Sequence, residues 1–198
     1  MNIKLTLNRI AVGAALAIAA SASFADETLT GTIGFHNDVR AYNFSLSAAG
    51  TVDIFSTSWQ YGLNFDPAAS VWMKSGNAYT LVDQNDDDGI SAYDPNGNFN
   101  FRLQLSLGAG DYQLALVAAP NAPVGTLLSQ GFTADAEAPI SLADWTQPSA
   151  NPNFPDQKGG SYSFTINGAS SVSAVPEPAT CLLMGLGVAG LLLRRRAA

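Results

Sequence analysis

Residues 98–117 read NFNFRLQLSLGAGDYQLALV and carry the clearest secondary-structure signal in this chain of 198 residues. Apolar side chains recur at every second position from Phe99 to Leu107, which is the period of a β-strand with one buried face. The Gly108-Ala109-Gly110-Asp111 step then predicts a turn into a second apolar strand at 112–117. The stretch therefore predicts two adjoining core strands.

Shorter alternating runs, separated by Gly, Asn, Asp and Pro, occupy most of the remaining chain, and helical periodicity is almost absent. This is the pattern of a β-sandwich or a β-barrel. The Lys74-Ser75-Gly76-Asn77 step predicts the clearest hairpin, because Gly and Asn accept the backbone angles of a tight turn. In all, the pattern predicts about eight strands, at residues 29–35, 39–46, 51–57, 69–73, 78–82, 98–107, 112–117 and 162–166.

The first 25 residues have the three parts of a secretory signal peptide. Lys4 and Arg9 are basic, residues 10–20 form an apolar run, and Ser23-Phe24-Ala25 places small residues at the positions that signal peptidase reads. We therefore expect a signal helix that signal peptidase removes after Ala25, and a mature protein outside the cytoplasm.

The other end of the chain has a second apolar segment, residues 179–193, between Val175-Pro176-Glu177-Pro178 and Arg194-Arg195-Arg196. A helix of this length measures about 22 Å, shorter than the roughly 30 Å hydrocarbon core, so this hydrophobic helix is only a marginal membrane span. The arginines favour the cytoplasmic side. The prolines disfavour helix before Ala179 and leave an extended handle just outside the membrane.

This arrangement resembles the PEP-CTERM sorting signal of exopolysaccharide-producing Gram-negative bacteria. The resemblance rests on the Val-Pro-Glu-Pro start, the Gly-rich apolar segment 182–193 and the terminal arginines, and it covers residues 175–198. It implies transient residence in the inner membrane and cleavage by an exosortase near the Pro-Glu-Pro step. The alternative is a simple tail anchor that is never cut.

Charge and cysteine content restrict the function of the exported body. Five of the nine basic residues lie in the two terminal segments, which leaves four basic against fifteen acidic side chains and a net charge near −11. Nucleic acids and anionic lipid surfaces require basic patches, so we expect no nucleic-acid partner. The one cysteine, Cys181, lies in the terminal apolar run, so we expect no disulfide within the body.

Residues 119–160 interrupt the strand pattern. They contain six prolines and no sustained alternation, so we expect an insertion that is either functional or poorly ordered. The Gly, Ala and Ser residues after the last predicted strand predict a flexible linker. The predicted organisation is a signal peptide at 1–25, a β-sandwich domain at 26–168 with a Pro-rich insertion at 119–160, a linker at 169–174 and a sorting signal at 175–198.

The order of motifs resembles the bacterial pre-peptidase C-terminal-like jelly roll over about residues 30–118. The segments that carry the resemblance are Tyr42-Asn43-Phe44-Ser45-Leu46 with Gly50-Thr51-Val52, Phe65-Asp66-Pro67 with Val71-Trp72, Asn85-Asp86-Asp87-Asp88-Gly89, and Leu107-Gly108-Ala109-Gly110-Asp111-Tyr112-Gln113-Leu114. It implies an all-β, jelly-roll-like antiparallel β-sandwich, flanked by the N-terminal signal helix and the C-terminal hydrophobic helix. The Pro-rich insertion departs from the family pattern. We therefore do not expect the loops at that end of the sandwich to have the functions that they have in the family.

The strongest chemical feature is an acidic turn after the fifth predicted strand. The carboxylates and the amide of Asp83, Asn85, Asp86, Asp87 and Asp88 crowd together, and a hard cation such as calcium would relieve the repulsion. The positions of the glycine and of the last acidic residue in this turn do not match the positions that an EF-hand loop requires. The family resemblance implies calcium near Asp86 and Asp87, with Asp66 as a neighbour from the preceding loop. The alternative is a solvated acidic turn without calcium.

Catalysis has little support in the sequence. His36 is the only histidine and the body has no cysteine. The sequence therefore has too few histidine and cysteine side chains for a Ser-His-Asp triad, a Cys-His pair or a zinc site. We expect an exposed His36 in a turn, and no enzyme activity. Trp59 and Trp145 have loop-like contexts and are candidate glycan contacts, whereas Trp72, in an alternating strand, is expected in the core.

Together these features predict an exported protein without catalytic activity, sorted by exosortase and acting in a structural or interaction role. Its predicted location is the cell surface or extracellular matrix of a Gram-negative bacterium, reached through an inner-membrane intermediate. The alternative function is a polysaccharide-binding module, with or without calcium, whose partner is exopolysaccharide.

Overall fold

The computed structural model describes residues 25–88, 99–147 and 157–176. Within them the chain forms nine β-strands and two short 3-10 helices. The strands are β1 Ala25–Thr32, β2 Arg40–Leu46, β3 Gly50–Ser56, β4 Pro67–Ser75, β5 Ala78–Asn85, β6 Arg102–Leu107, β7 Gly110–Ala118, β8 Ser161–Ala169 and β9 Ser171–Ala174, and the 3-10 helices are Gln60–Gly62 and Leu128–Gln130.

The strands pair as one long antiparallel ribbon that is folded back on itself. β1 pairs with β8, β2 with β7, β3 with β6 and β4 with β5, so the β4–β5 hairpin is the closed end of the ribbon. The ribbon is wound so that alternate pairs lie in two sheets, of strand order β1-β8-β3-β6 and β5-β4-β7-β2-β9. This is the topology of a jelly roll. The predicted all-β antiparallel sandwich is confirmed.

The two sheets enclose the main core, and the alternation of the sequence decides which side chains enter it. In the four-stranded sheet, Val52 and Ile54 of β3 lie opposite Leu105 and Leu103 of β6, and all four are buried. Ile54 also lies opposite Ile166 of β8. Cross-strand apolar pairs of this kind fix the register of the sheet, because a slip by one residue would turn them to solvent.

A tyrosine pair links the two sheets through the core. Tyr42 of β2 and Tyr162 of β8 are buried, and their hydroxyl oxygens are 2.6 Å apart. The ring of Tyr42 also meets Phe164 edge-on, with ring centroids 4.8 Å apart. Burial, followed by the hydrogen bond to Tyr162, raises the pKa of Tyr42 above its usual range. The Tyr42 hydroxyl therefore stays neutral, and the pair joins the sheets by one buried hydrogen bond.

A second, smaller core lies on the outer face of the five-stranded sheet. Trp72 of β4, Ala115 and Val117 of β7 and Phe132 of the insertion are buried together. The rings of Trp72 and Phe132 meet edge-on, with centroids 6.4 Å apart. β7 is therefore buried on both faces, which explains why its sequence is a nearly continuous apolar run.

The first described part of the Pro-rich insertion, residues 119–147, contributes to this second core and is not a poorly ordered loop. Its N-terminal half reaches the edge of the sheet, where the N–H of Leu81 in β5 donates to the carbonyl oxygen of Thr126 at 2.9 Å. Leu128 and Phe132 then pack on the outer face. Single apolar side chains can cover a sheet without alternating, and for this reason the sequence pattern did not reveal the contact.

The prediction of a flexible linker at 169–174 is wrong. Ser171–Ala174 forms β9, which pairs with β2 from Tyr42 to Ser45. The N–H of Val175 extends the pairing by donating to the carbonyl oxygen of Ala41 at 2.8 Å. An exposed edge strand is held mainly by backbone hydrogen bonds, which small polar residues supply as well as large ones, so its composition looks like that of a linker.

The two predicted flanking helices lie outside the described residues. In the ranges that the structure describes, no helix has the length and apolar character needed to cross a membrane. The predicted signal-peptidase site after Ala25 falls at the first residue of β1.

Replacing Phe132 with alanine should lower the free energy of unfolding by about 3 kcal/mol, because the change leaves a cavity against Trp72. Val124→Ala is the matched control, since Val124 lies in the same insertion but is 61% exposed. The control should change the free energy by less than about 0.5 kcal/mol. Urea denaturation of the purified protein measures both values. Equally small effects in the two variants would show that the insertion is not part of the cooperative fold.

Candidate functional site

The acidic segment, residues 83–88, begins in the last residues of β5 and continues beyond the strand. Oδ1 of Asn85 accepts a hydrogen bond from the N–H of Arg102 at 3.1 Å. The N–H of Asp88 donates to the carbonyl oxygen of Asn100 at 2.7 Å. These two bonds tie the segment to the start of β6, while Asp86 and Asp87 remain exposed.

The described carboxylates of this segment do not form a metal cage. In residues 25–88, 99–147 and 157–176, no three His, Cys, Asp or Glu side chains are grouped so as to hold a metal ion. Oδ1 of Asp83 accepts a hydrogen bond from the N–H of the next residue, Gln84. Gly89 and Asp94 lie outside the described residues. Calcium therefore stays a prediction for the set Asp66, Asp83, Asn85, Asp86, Asp87 and Asp88.

Asp66 lies at the start of β4, where its backbone helps to attach the insertion. The residue is 2% exposed. Its N–H donates to Oε1 of Gln147 at 3.2 Å, and its carbonyl oxygen accepts from the N–H of Ala119 at 2.9 Å. Nε2 of Gln147 in turn donates to the carbonyl oxygen of Ala119 at 3.1 Å. These bonds fasten residues 119 and 147 of the insertion to the sandwich.

The two tryptophans predicted to contact a glycan differ in exposure. Trp59 is 1% exposed and packs on Phe99, with ring centroids 4.7 Å apart. Its ring faces are covered, so the prediction of a glycan contact at Trp59 is wrong. Trp145 is half-buried, with its ring centroid 5.2 Å from that of His36, and its glycan contact stays a prediction. Tyr61, at 49% exposure, is the aromatic residue beside Trp59 that reaches solvent.

His36 is buried, so the prediction that it is exposed is wrong. Nδ1 accepts a hydrogen bond from the N–H of Ile140 at 3.2 Å, which assigns the ring proton to Nε2. Nε2 lies 3.0 Å from Oε2 of Glu137, 101 residues further along the chain, and donates to it. His36 thus joins the insertion to the β1–β2 connection. No local pattern could have indicated a partner at that separation.

The fold changes the titration of Asp87, which follows β5. Partial burial raises the pKa of its carboxyl group from 3.8 to about 6, and the adjacent Asp86 carboxylate adds to the effect. Between these values the folded protein binds the proton more tightly than the unfolded chain does. The corresponding stability is present at low pH and is lost as the pH rises through 6. Because the residue keeps contact with solvent, the effect is small.

Asp87→Asn should therefore raise the melting temperature at pH 7.5 by roughly 1–2 °C, because a neutral amide replaces a carboxylate that the fold disfavours. At pH 4 the variant should match the parent protein, whose Asp87 is then already protonated when folded. Asp83→Asn removes an exposed acid from β5 and controls for the loss of one charge. Calorimetric scans at both pH values measure the shifts. An equal shift at the two pH values, or in the two variants, would contradict the assignment.

The C-terminal strand leads directly into the predicted sorting segment. β9 ends at Ala174, and the structure describes two further residues, Val175 and Pro176. Val175 is bonded to the edge of the sheet, as described above, and Pro176 is exposed. The remaining residues of the predicted signal, Glu177, Pro178, Arg194, Arg195 and Arg196, lie outside the described ranges.

Comparison with solved structures gives distant similarity to other proteins. The pre-peptidase C-terminal domain of a collagenase from Bacillus anthracis is 14% identical, with a TM-score of 0.38, and the alignment covers 71% of this chain and 88% of that domain. The Yersinia pseudotuberculosis-derived mitogen is 12% identical, with a TM-score of 0.38, over 80% of this chain and 94% of the mitogen. No curated protein has a significant sequence match.

The family comparison concerns the C-terminal tail. Residues 174–196 match the PEP-CTERM protein-sorting motif, which confirms the resemblance noted in the sequence. A motif of this kind marks export through the membrane to the cell surface and processing by an exosortase. The chain is therefore similar to exported exosortase substrates in the segment that directs sorting.

Proposed function

We propose that this protein is delivered to the surface or extracellular matrix of a Gram-negative bacterium, where it has a structural or interaction role without catalysis. The observation that carries the proposal is the match of residues 174–196 to the sorting motif. The body has fifteen acidic and only four basic side chains. This negative net charge supports the proposal, because it favours solubility and disfavours binding to nucleic acids.

The positions of the two predicted processing points also support the proposal. Ala25, at the predicted signal-peptidase site, pairs with Ala169 of β8. At the other end, β9 finishes one residue before the Val175-Pro176-Glu177-Pro178 step. Removal of both terminal segments would take away only the first residue of β1. The mature protein that results is a complete jelly roll.

Replacing Pro176, Glu177 and Pro178 together with alanine should leave a larger protein in the membrane fraction, because the exosortase no longer recognises its signal. Deleting the exosortase should have the same effect on the unaltered chain. Ser173→Ala, at an exposed position of β9, is the control and should be processed normally. Cell fractionation with immunoblotting measures size and location. A size and location that none of these changes affects would reject exosortase sorting and favour an uncut tail anchor.

The pairing of β9 with the sheet brings the cleavage region close to the folded domain. Pro176, Glu177 and Pro178 separate the bonded Val175 from the apolar run that begins at Ala179. Three residues span at most about 10 Å. An exosortase acting at this step therefore meets the edge of the five-stranded sheet, and its access requires either a close approach to the sheet or release of β9.

A flexible Gly-Ser spacer inserted between Ala174 and Val175 should accelerate processing severalfold, because it moves the cleavage region away from the sheet edge. The same spacer inserted between Ala48 and Ala49, in the exposed β2–β3 turn, is the matched control and should leave the rate unchanged. Pulse-chase labelling measures the rate of conversion to the mature form. A rate that the first insertion does not raise would show that the folded domain does not restrict the enzyme.

A further inference from the structure

The loops at one end of the sandwich carry exposed apolar side chains. β1 and β3 finish beside the start of β8, and β5 and β7 finish beside the start of β4. Because β3 leads into β4 and β7 leads through the insertion into β8, these strand ends lie at the same end of the sandwich, which we call the loop end. Its connections carry four large apolar side chains that are each between 43% and 59% exposed, and we call them the loop-end apolar residues: Phe35, Tyr61, Leu63 and Ile140.

The opposite end of the sandwich has a different composition. Its described turns, at 47–49, 76–77 and 108–109, contain only Ser, Ala, Gly and Asn. The other exposed large apolar side chains in the described residues are Met73 and Val82 in strands and Val124 and Leu127 in the insertion. Only the loop end therefore combines exposed apolar side chains from several connections.

The loop-end apolar residues belong to segments that are bonded to one another in series. The N–H of Gly159 donates to the carbonyl oxygen of Leu63 at 3.0 Å, and the carbonyl oxygen of the next residue accepts from the N–H of Ile33 at 2.9 Å. Three residues further along the chain, the N–H of His36 donates to the carbonyl oxygen of Ile140 at 3.1 Å. The connections hold one another in place, so these side chains are presented on a common framework.

The backbone at Tyr61 has a conformation that is unfavourable for its residue type. Gln60 and Tyr61 have φ angles of 49° and 59°, in the left-handed region that non-glycine residues rarely adopt. Nδ2 of Asn64 braces this loop by donating to the carbonyl oxygen of Ser58 at 2.7 Å. A strained turn that keeps an aromatic ring half in solvent indicates a contact surface and not core packing.

The sorting segment leaves the fold at the loop end as well. β9 is antiparallel to β2 and finishes beside the start of that strand, where the N–H of Val175 bonds to Ala41. Phe35 lies in the connection that leads into β2. Three residues, which span at most about 10 Å, separate Val175 from the apolar run that begins at Ala179. While that run is in a membrane, the loop end is therefore held close to the surface of the bilayer.

Charge determines which kind of membrane surface the loop end fits. Oδ2 of Asp38 accepts from the N–H of Phe35 at 3.1 Å, and Glu137 accepts from His36 as described above, so these two carboxylates are engaged within the loops. Asp86 is exposed just beyond β5. Its charge disfavours a surface of anionic lipids. The contact therefore depends on apolar side chains and favours uncharged headgroups.

We propose that the loop-end apolar residues rest on the membrane that holds the chain's own C-terminal run, with Tyr61 and Leu63 entering the headgroup zone. A tyrosine ring suits that zone because it has an apolar body and a polar hydroxyl, and a leucine there removes apolar area from water. The tether gives the bilayer a high local concentration, so a weak contact is populated. Cleavage of the tether ends this advantage and releases the domain. The inference rests on the membrane-bound intermediate of the proposed function.

NMR spectroscopy of residues 26–198, the form that follows signal-peptide removal, tests the proposal in nanodiscs of phosphatidylcholine that contain a gadolinium-labelled lipid. No exosortase is present, so a contact seen there is with lipid. The amide signals of the loop-end apolar residues should be broadened more strongly than those of the turn at 47–49. Nanodiscs that contain phosphatidylglycerol should give less broadening. Equal broadening at the two ends, or stronger broadening on the anionic lipid, would overturn the proposal.

A spacer separates docking from simple proximity, because the short tether alone brings the loop end near lipid. With a Gly-Ser spacer of about 20 residues between Ala174 and Val175, the broadening should persist, since the longer tether still gives a high local concentration of the bilayer. If the spacer abolishes the broadening, the tether alone holds the loop end at the membrane and the proposal is overturned.

Variants with the spacer test whether these side chains make the contact. Tyr61→Asn, which suits the left-handed backbone, combined with Leu63→Ser should lower the broadening at Phe35 and Ile140 at least about twofold, because less apolar area leaves water in the docked state. Met73→Ser is the matched control, since Met73 is an exposed apolar residue of β4, and it should have no effect. Ile140→Ser, read out at Tyr61, serves if the double variant does not fold. Equal effects in the control and in these variants would overturn the proposal.

The same measurements separate this inference from exosortase sorting. If the C-terminal run does not enter the nanodisc, the membrane-bound intermediate and this inference both fail. If the run enters but the loop end is not preferentially broadened, this inference alone fails and the sorting proposal stands. Broadening or protection of the loop end that requires added exosortase would assign these residues to a protein partner and likewise overturn the proposal.

Discussion

The burial of β7 on both faces is the constraint on which the rest of this structure depends. Its side chains at Tyr112, Leu114 and Leu116 enter the main core, while Ala115 and Val117 face outward into the second core. β7 lies between β2 and β4 in the sheet, and these two neighbours satisfy its backbone hydrogen bonds. Outward-facing apolar residues on a central strand would otherwise be exposed to water, so the fold requires a cover on that face.

The Pro-rich insertion supplies this cover, and it is attached to the sandwich at points that are far apart in the chain. It leaves β7 at Ala119, packs Phe132 on Trp72, and is joined to the β1–β2 connection through His36. The segment that stabilises the second core therefore also holds Ile140 beside the β1–β2 connection at the loop end.

The sequence could predict those parts of the molecule that depend on local periodicity and local motifs. Alternation placed Leu103, Leu105 and Leu107 in the core, and the tail motif could be read without any structure. Local patterns failed for β9, which small residues hold by backbone bonds to β2. They failed again for Trp59, because its loop-like context gave no sign of the ring of Phe99 that covers it. Both errors concern partners that are distant in the chain.

The sequence by itself determined that this is an all-β protein with a C-terminal sorting motif, because strand period and sorting motifs are encoded in consecutive residues. Only the tertiary structure decided which strands pair into a jelly roll, which aromatic rings are covered, and that Phe35, Leu63 and Ile140 lie in connections at the end where β9 finishes. The physical reason is that these relations depend on packing between segments far apart in the chain. The side chains of such segments acquire their surroundings only when the two sheets and the insertion close on one another.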